Sequence, residues 1–190
     1  MNRYLLGPLL VGLAVLWACD APTDPANPSA SPAEFEALLA SPALTLGAER
    51  DSRFAAEYGP YRFRTGFGER GGRVARSVGT WTPLFDTLQR GNSPQRAPLA
   101  ADFTQEMVVL ALYGGAGTGG HVVRIRHVTL TRDTLFVLAE ARAPGPSCGV
   151  TQAFTAPTDA RVVPAGRAPV IVLFAPYLHD CDTGRDRADW

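Results

Sequence analysis

The chain has 190 residues, its 18 basic and 18 acidic side chains balance to a formal net charge of +0, and hydrophobic residues make up 46% of it. That is apolar material for one core and length for one domain plus extensions, while the neutral balance argues against a nucleic-acid or anionic-membrane binder. Every basic residue other than histidine is Arg and none is Lys, which reads first as a compositional bias of the genome.

Residues 1–18 read as an export signal. Asn2-Arg3 is a short basic start, Tyr4 to Trp17 an apolar run broken only by small residues and Pro8, and Ala18-Cys19 its close. The run is short for a transmembrane helix, so a cleaved signal is the better reading. Leu16-Trp17-Ala18-Cys19 resembles the lipobox of bacterial lipoproteins, in which the cysteine becomes a lipidated N-terminus. The expectation is a protein exported and anchored by lipid at Cys19, periplasmic or at the cell surface. Residues 19–30, rich in Pro, Ala and Ser, have little to bury and read as a flexible tether.

Ser31-Pro32-Ala33-Glu34 then starts a helix, with Ser31 as cap, Pro32 at the first position and Glu34 closing a capping box. Phe35, Leu38 and Leu39 give it a short apolar stripe, and the connector to residue 57 carries weak signals. From Tyr58 a domain begins. Tyr61–Arg64 alternates as a half-exposed strand, a glycine-rich loop follows, and Val74–Val78 reads as a short strand. A second helix is expected with Thr80 as cap and Pro83 in its first turn. Trp81, Leu84, Phe85 and Leu88 form its docking face, and Gly91 stops it. Met107–Leu112 is a continuous apolar run, as in a strand buried on both faces. Gly114, Gly115, Gly117, Gly119 and Gly120 interrupt it, and His121 onward alternates again, so the stretch reads as two strands at the centre of one antiparallel sheet.

Thr134–Ala141 is a further strand behind a Thr-Arg-Asp turn. Val150–Ala156 and Asp159–Val163 read as strand pieces split by Pro157, and Pro169–Phe174 as the last, buried strand. A domain over 58–182 followed by a polar tail over 183–190 is expected. Its class is mainly β, an antiparallel sandwich or partly open barrel with one docked helix besides the short N-terminal one.

The candidate chemical features are few. Gly114–Gly120 lacks the Lys-Ser/Thr of a phosphate loop and leads into a strand, so it offers no helix terminus to an anion. His121 and His127, six apart on a strand, would lie about 20 Å apart and make no metal set with His179. No G-x-S-x-G element occurs. No catalytic residue, metal or cofactor is therefore assigned. With Cys19 reserved for lipid, Cys148 and Cys181 are expected to pair, closing the tail onto the Pro144–Cys148 loop. Thr118, Gly119, Gly120 and His121 form the candidate recognition or structural turn.

The order of these features, a Trp-bearing helix, Asp102-Phe103 with a Val-rich strand, then Thr118-Gly119-Gly120 and V-x-I, resembles the C-terminal domain of PrcB-type protease-complex lipoproteins over roughly 58–175. His121 stands where that family more often has Tyr. The resemblance implies a non-catalytic envelope subunit with a protein partner; in the family's namesake, such a lipoprotein accompanies a secreted serine protease and helps it mature or assemble. The same turn is similar to the T-T-G-Y loop of chagasin-like inhibitors, so a loop-based protease inhibitor of immunoglobulin-like type is the alternative.

Overall fold

The computed structural model describes residues 31–44, 65–90 and 101–189. The signal segment, Cys19, the tether, the strand expected over Tyr61–Arg64 and the Gly91 stop lie outside them. The described residues contain helices α1 (Pro32–Leu39) and α2 (Val78–Gln89). Their strands are β1 (Gly71–Ala75), β2 (Glu106–Leu112), β3 (Val122–Thr131), β4 (Thr134–Pro144), β5 (Thr158–Pro164), β6 (Val170–Asp180) and β7 (Arg185–Ala188).

The strands make two sheets, ordered β1-β2-β5 and β3-β4-β6-β7. Between them Met107, Val109 and Val163 of the first meet Val123, Ile125, Val137 and Val172 of the second. Successive strand residues point to opposite faces, so Val108, Leu110 and Leu112 point away from that core, where Trp81, Phe85 and Leu88 of α2 cover them. β2 is thus central in its sheet and roofed on both faces, which is why its sequence shows no polar alternation. On the far side, α1 lays Phe35, 1% exposed, over Leu138, Leu173 and Ala175 of the four-stranded sheet. The layers are α2, three-stranded sheet, four-stranded sheet and α1. Each large apolar side chain buried in them is worth about 1.5–3 kcal/mol.

The expected mainly-β sandwich stands, with corrections in its parts. β2 and β3 are not neighbours in one sheet; the glycine stretch carries the chain from one sheet to the other. β4 and β6 pair in parallel, because the chain leaves β4 to place β5 in the opposite sheet before returning. The strand expected over Val74–Val78 ends at Ala75, and Val78 opens α2. The cap is Ser77, whose Oγ accepts from Thr80 N–H at 3.2 Å, so Pro83 lies inside the helix and not in its first turn. Both helices dock. Val150–Ala156 is not a strand; only its end is in bridge pairing, Thr155 with Ala116. The last buried strand runs on through Pro176 to Asp180, which gives part of the expected polar tail a partner: β7 pairs with Tyr177–Asp180. Cys148 and Cys181 are bonded, with Cα atoms 5.1 Å apart. The bridge ties the β6–β7 turn to the loop after β4, as the sequence predicts.

One edge of the sandwich is closed by side chains. The β3–β4 register slips between Ile125 and His127, leaving Arg126 as an extra residue of a bulge. At this edge Asp159 of β5 accepts from Ile125 N–H at 2.6 Å, and Arg161 donates to Ile125 O at 3.2 Å. Two side chains of one sheet thereby supply the acceptor and donor that an adjoining strand would have given the other.

Candidate functional site

The glycine crossover does not project from the molecule. Tyr113 N–H donates to Pro157 O at 2.9 Å, Gly115 N–H to Gly68 O at 3.0 Å, and Gly119 N–H to Thr151 O at 2.9 Å. Ala116 and Thr155 exchange backbone hydrogen bonds at 2.8 and 2.9 Å. Three loops, 66–70, 113–121 and 145–157, are therefore laced into one surface at one end of the sandwich.

Two crossover positions require glycine for their backbone angle. Gly114 has φ +90°, and a Cβ there would also stand 2.9 Å from Arg70 N. Gly120 has φ +87° and packs against the Pro144 ring. Gly119 is different: its backbone is ordinary, but a Cβ would run into Thr151 Oγ1. Gly115 is different again, its missing Cβ leaving room for the Phe154 ring, whose Cζ would be 2.6 Å away.

The residues singled out in the sequence do meet here. Thr118 Oγ1 lies 3.2 Å from His121 Nε2, and His121 Nδ1 lies 2.8 Å from Tyr113 Oη. The Tyr113 and His121 rings also touch edge-on, centroids 5.0 Å apart. Thr118 is held from behind by Thr155, whose hydroxyl donates to its carbonyl at 2.9 Å. Burial lowers the His121 pKa, and burial raises that of Tyr113 against the opposing pull of Arg70. Both shifts favour the neutral forms, so imidazole and phenol share a hydrogen bond without an ion pair.

The order hydroxyl, imidazole, orienting group has the outline of a nucleophilic triad. What stands behind the imidazole is a neutral phenol rather than a carboxylate. It supplies no counter-charge for an imidazolium, and a lowered histidine pKa weakens the base as well. The trio is suited to holding the crossover in shape. His127 lies beyond the bulge, which interrupts the strand alternation between it and His121. His179 is on β6, 2.7 Å from Asp186. Among the described residues no three His, Cys, Asp or Glu side chains gather as metal ligands.

Two residues of this surface were missed by sequence reasoning. Phe154 is 52% exposed, a large apolar side chain left in water beside Gly115. The signal was an aromatic alone in the Thr-, Ala- and Pro-rich stretch 151–157, hidden by reading that stretch as a strand. Arg70 is exposed, with its guanidinium 4.7 Å from the centroid of Phe174 and 5.8 Å from that of Tyr113. Nothing in the Gly-Glu-Arg-Gly-Gly sequence around it announces those rings, which come from β6 and the end of β2.

Compared with known proteins, residues 107–164 match the family model described as PrcB C-terminal. The match runs from β2 to the end of β5, narrower than the 58–175 the resemblance suggested, and it contains the whole crossover and Phe154. No curated protein and no solved structure matches the chain.

Proposed function

We propose, from the match of residues 107–164 to the PrcB C-terminal family model, that this protein is a non-catalytic accessory subunit of an exported protease complex, held at the cell envelope by lipid on Cys19. The observation that carries the reading is the laced loop end: three loops fixed by backbone hydrogen bonds, presenting an exposed Phe154 within the family segment. A rigid surface with an uncovered aromatic is what a protein partner can use, since little ordering entropy remains to be lost on association. The neutral Thr118–His121–Tyr113 chain accounts for its own hydrogen bonds as scaffolding, which supports a binding role over a hydrolytic one.

Affinity purification of the full-length protein from envelopes of its host tests the function. A peptidase should co-purify with it, and Phe154→Ser should deplete that activity while leaving the subunit folded. Peptide cleavage by the isolated chain would make it an enzyme. Suppression of the co-purified peptidase by added chain would favour the loop-based inhibitor instead. The anchor has its own test, because labelled fatty acid should enter the wild type and not Cys19→Ser; equal label in both removes the lipid from the account.

A further inference from the structure

The loop end carries, as well as its exposed aromatic ring, a cation with no carboxylate partner among the described residues. Glu69, next to Arg70 in sequence, pairs with Arg73 at 4.0 Å, and no carboxylate among the described residues pairs with Arg70. Its guanidinium instead lies on the Phe174 and Tyr113 rings. Arg70 is exposed, and a guanidinium already held against two rings has lost part of its side-chain entropy before its N–H groups meet a carboxylate. Arg70 and Phe154 approach successive residues of the crossover: the Arg70 backbone adjoins Gly114 and the Phe154 ring adjoins Gly115.

We infer that this surface recognises an acidic–apolar segment of a protein partner, a Glu or Asp carboxylate on the Arg70 guanidinium and a neighbouring aliphatic or aromatic side chain on Phe154. The inference rests on the reading of the loop end as a docking surface and names the chemistry that docks. A planar fork matches a carboxylate by two parallel hydrogen bonds, which an amide cannot reproduce because it offers only one acceptor. The bare ring sets the second requirement, since covering it with another polar group recovers no apolar surface.

The test is a titration of the isotope-labelled full-length chain in detergent micelles with acetyl-Leu-Glu-Leu-amide and its Gln counterpart, followed by the backbone amides of Gly115, Gly117 and Phe154. The Glu peptide should produce saturable shifts and the Gln peptide should bind about tenfold more weakly, the worth of one charge-assisted contact. Arg70→Gln should erase that preference with the remaining spectrum unchanged, Arg70→Lys should restore only part of it, and Phe154→Ser should weaken both peptides alike. Equal affinity for the two peptides, a preference that survives Arg70→Gln, or no saturable shift with either peptide overturns the inference. Co-purification of a peptidase through Phe154 alongside equal peptide affinities would remove the acidic specificity and leave the docking surface standing.

Discussion

Gly119 and Gly120 are neighbours that need to be glycine for different reasons. Gly120 sits at φ +87°, where a Cβ strains the backbone whatever the space around it. Gly120→Ala should therefore cost on the order of 1 kcal/mol or more in denaturant unfolding, and no second substitution nearby should restore it. Gly119→Ala meets Thr151 Oγ1, an atom at the end of an exposed side chain. Its cost should fall in the double variant with Thr151→Ala, which keeps the Thr151 carbonyl that Gly119 N–H uses. Unchanged unfolding midpoints for both single variants would make these glycines features of a recognition surface and not of the fold.

Asp159 is the other residue whose role depends on its surroundings. Burial pushes its carboxyl up to about 6 from the usual 3.8, against the pull of the Ile125 N–H, Arg161, the Ala160 N–H and Arg124. The folded chain thus holds the proton more tightly than the unfolded chain. The resulting stability is fully present below about pH 3.8 and is lost as the pH rises through about 6. That displacement corresponds to on the order of 3 kcal/mol. Unfolding midpoints followed over this range should fall with rising pH in the wild type relative to Asp159→Asn, whose lost hydrogen bond adds only a constant offset. Parallel profiles for the two proteins would show that Asp159 ionises as freely in the folded chain as in the unfolded one.

Among elements, the turn between β3 and β4 is held less well than its strands. Arg132 and Asp133 have φ of 50° and 61°, the left-handed pair of a two-residue hairpin turn that favours Asn-Gly. Replacing them with Arg132→Asn and Asp133→Gly should raise stability on the order of 1 kcal/mol, read as a higher denaturant midpoint with the same slope. A lower midpoint would mean that the Arg132 or Asp133 side chain contributes more than its backbone strain costs. At the opposite end of the molecule, the Cys148–Cys181 bond closes a sequence separation of 33 residues. By chain entropy it adds roughly 3–4 kcal/mol and so secures the short, exposed β7 on β6.

The elements also show what the sequence could tell. β2 was legible as a doubly covered strand and α2 as an amphipathic helix, because periodicity records how many faces are buried. Which sheet a strand joins is not recorded that way. Met107–Leu112 would have the same composition whether β3 lay beside it or across the core, so the crossover was mistaken for a turn within one sheet. The parallel β4–β6 pair and the capture of β7 were hidden for the same reason, being settled by tertiary partners. At the site, Thr118 and His121 stood out by their setting among glycines. Arg70 did not, since its significance comes from two rings distant in sequence.

At the scale of the whole molecule, the two ends of the sandwich are unlike. β3 spans ten residues from the laced loops to the Arg132–Asp133 hairpin, a length of about 30 Å, so what binds at one end is out of reach of the other. Val78 at the start of α2 is 64% exposed, and the other two large exposed hydrophobic residues among those described are Phe154 at 52% in the loops and Leu130 at 53% near the hairpin. Matched in exposure, these last two differ in setting: Phe154 lies against Gly115 among the laced loops, whereas Leu130 stands next to the two-residue hairpin turn. The most direct measurement places a photoactivatable phenylalanine analogue at residue 154 or at residue 130 of the full-length protein in its native envelope. The account predicts a discrete adduct with a peptidase from position 154 and none from position 130. Equal labelling from both positions, or an adduct from 130 alone, would contradict it.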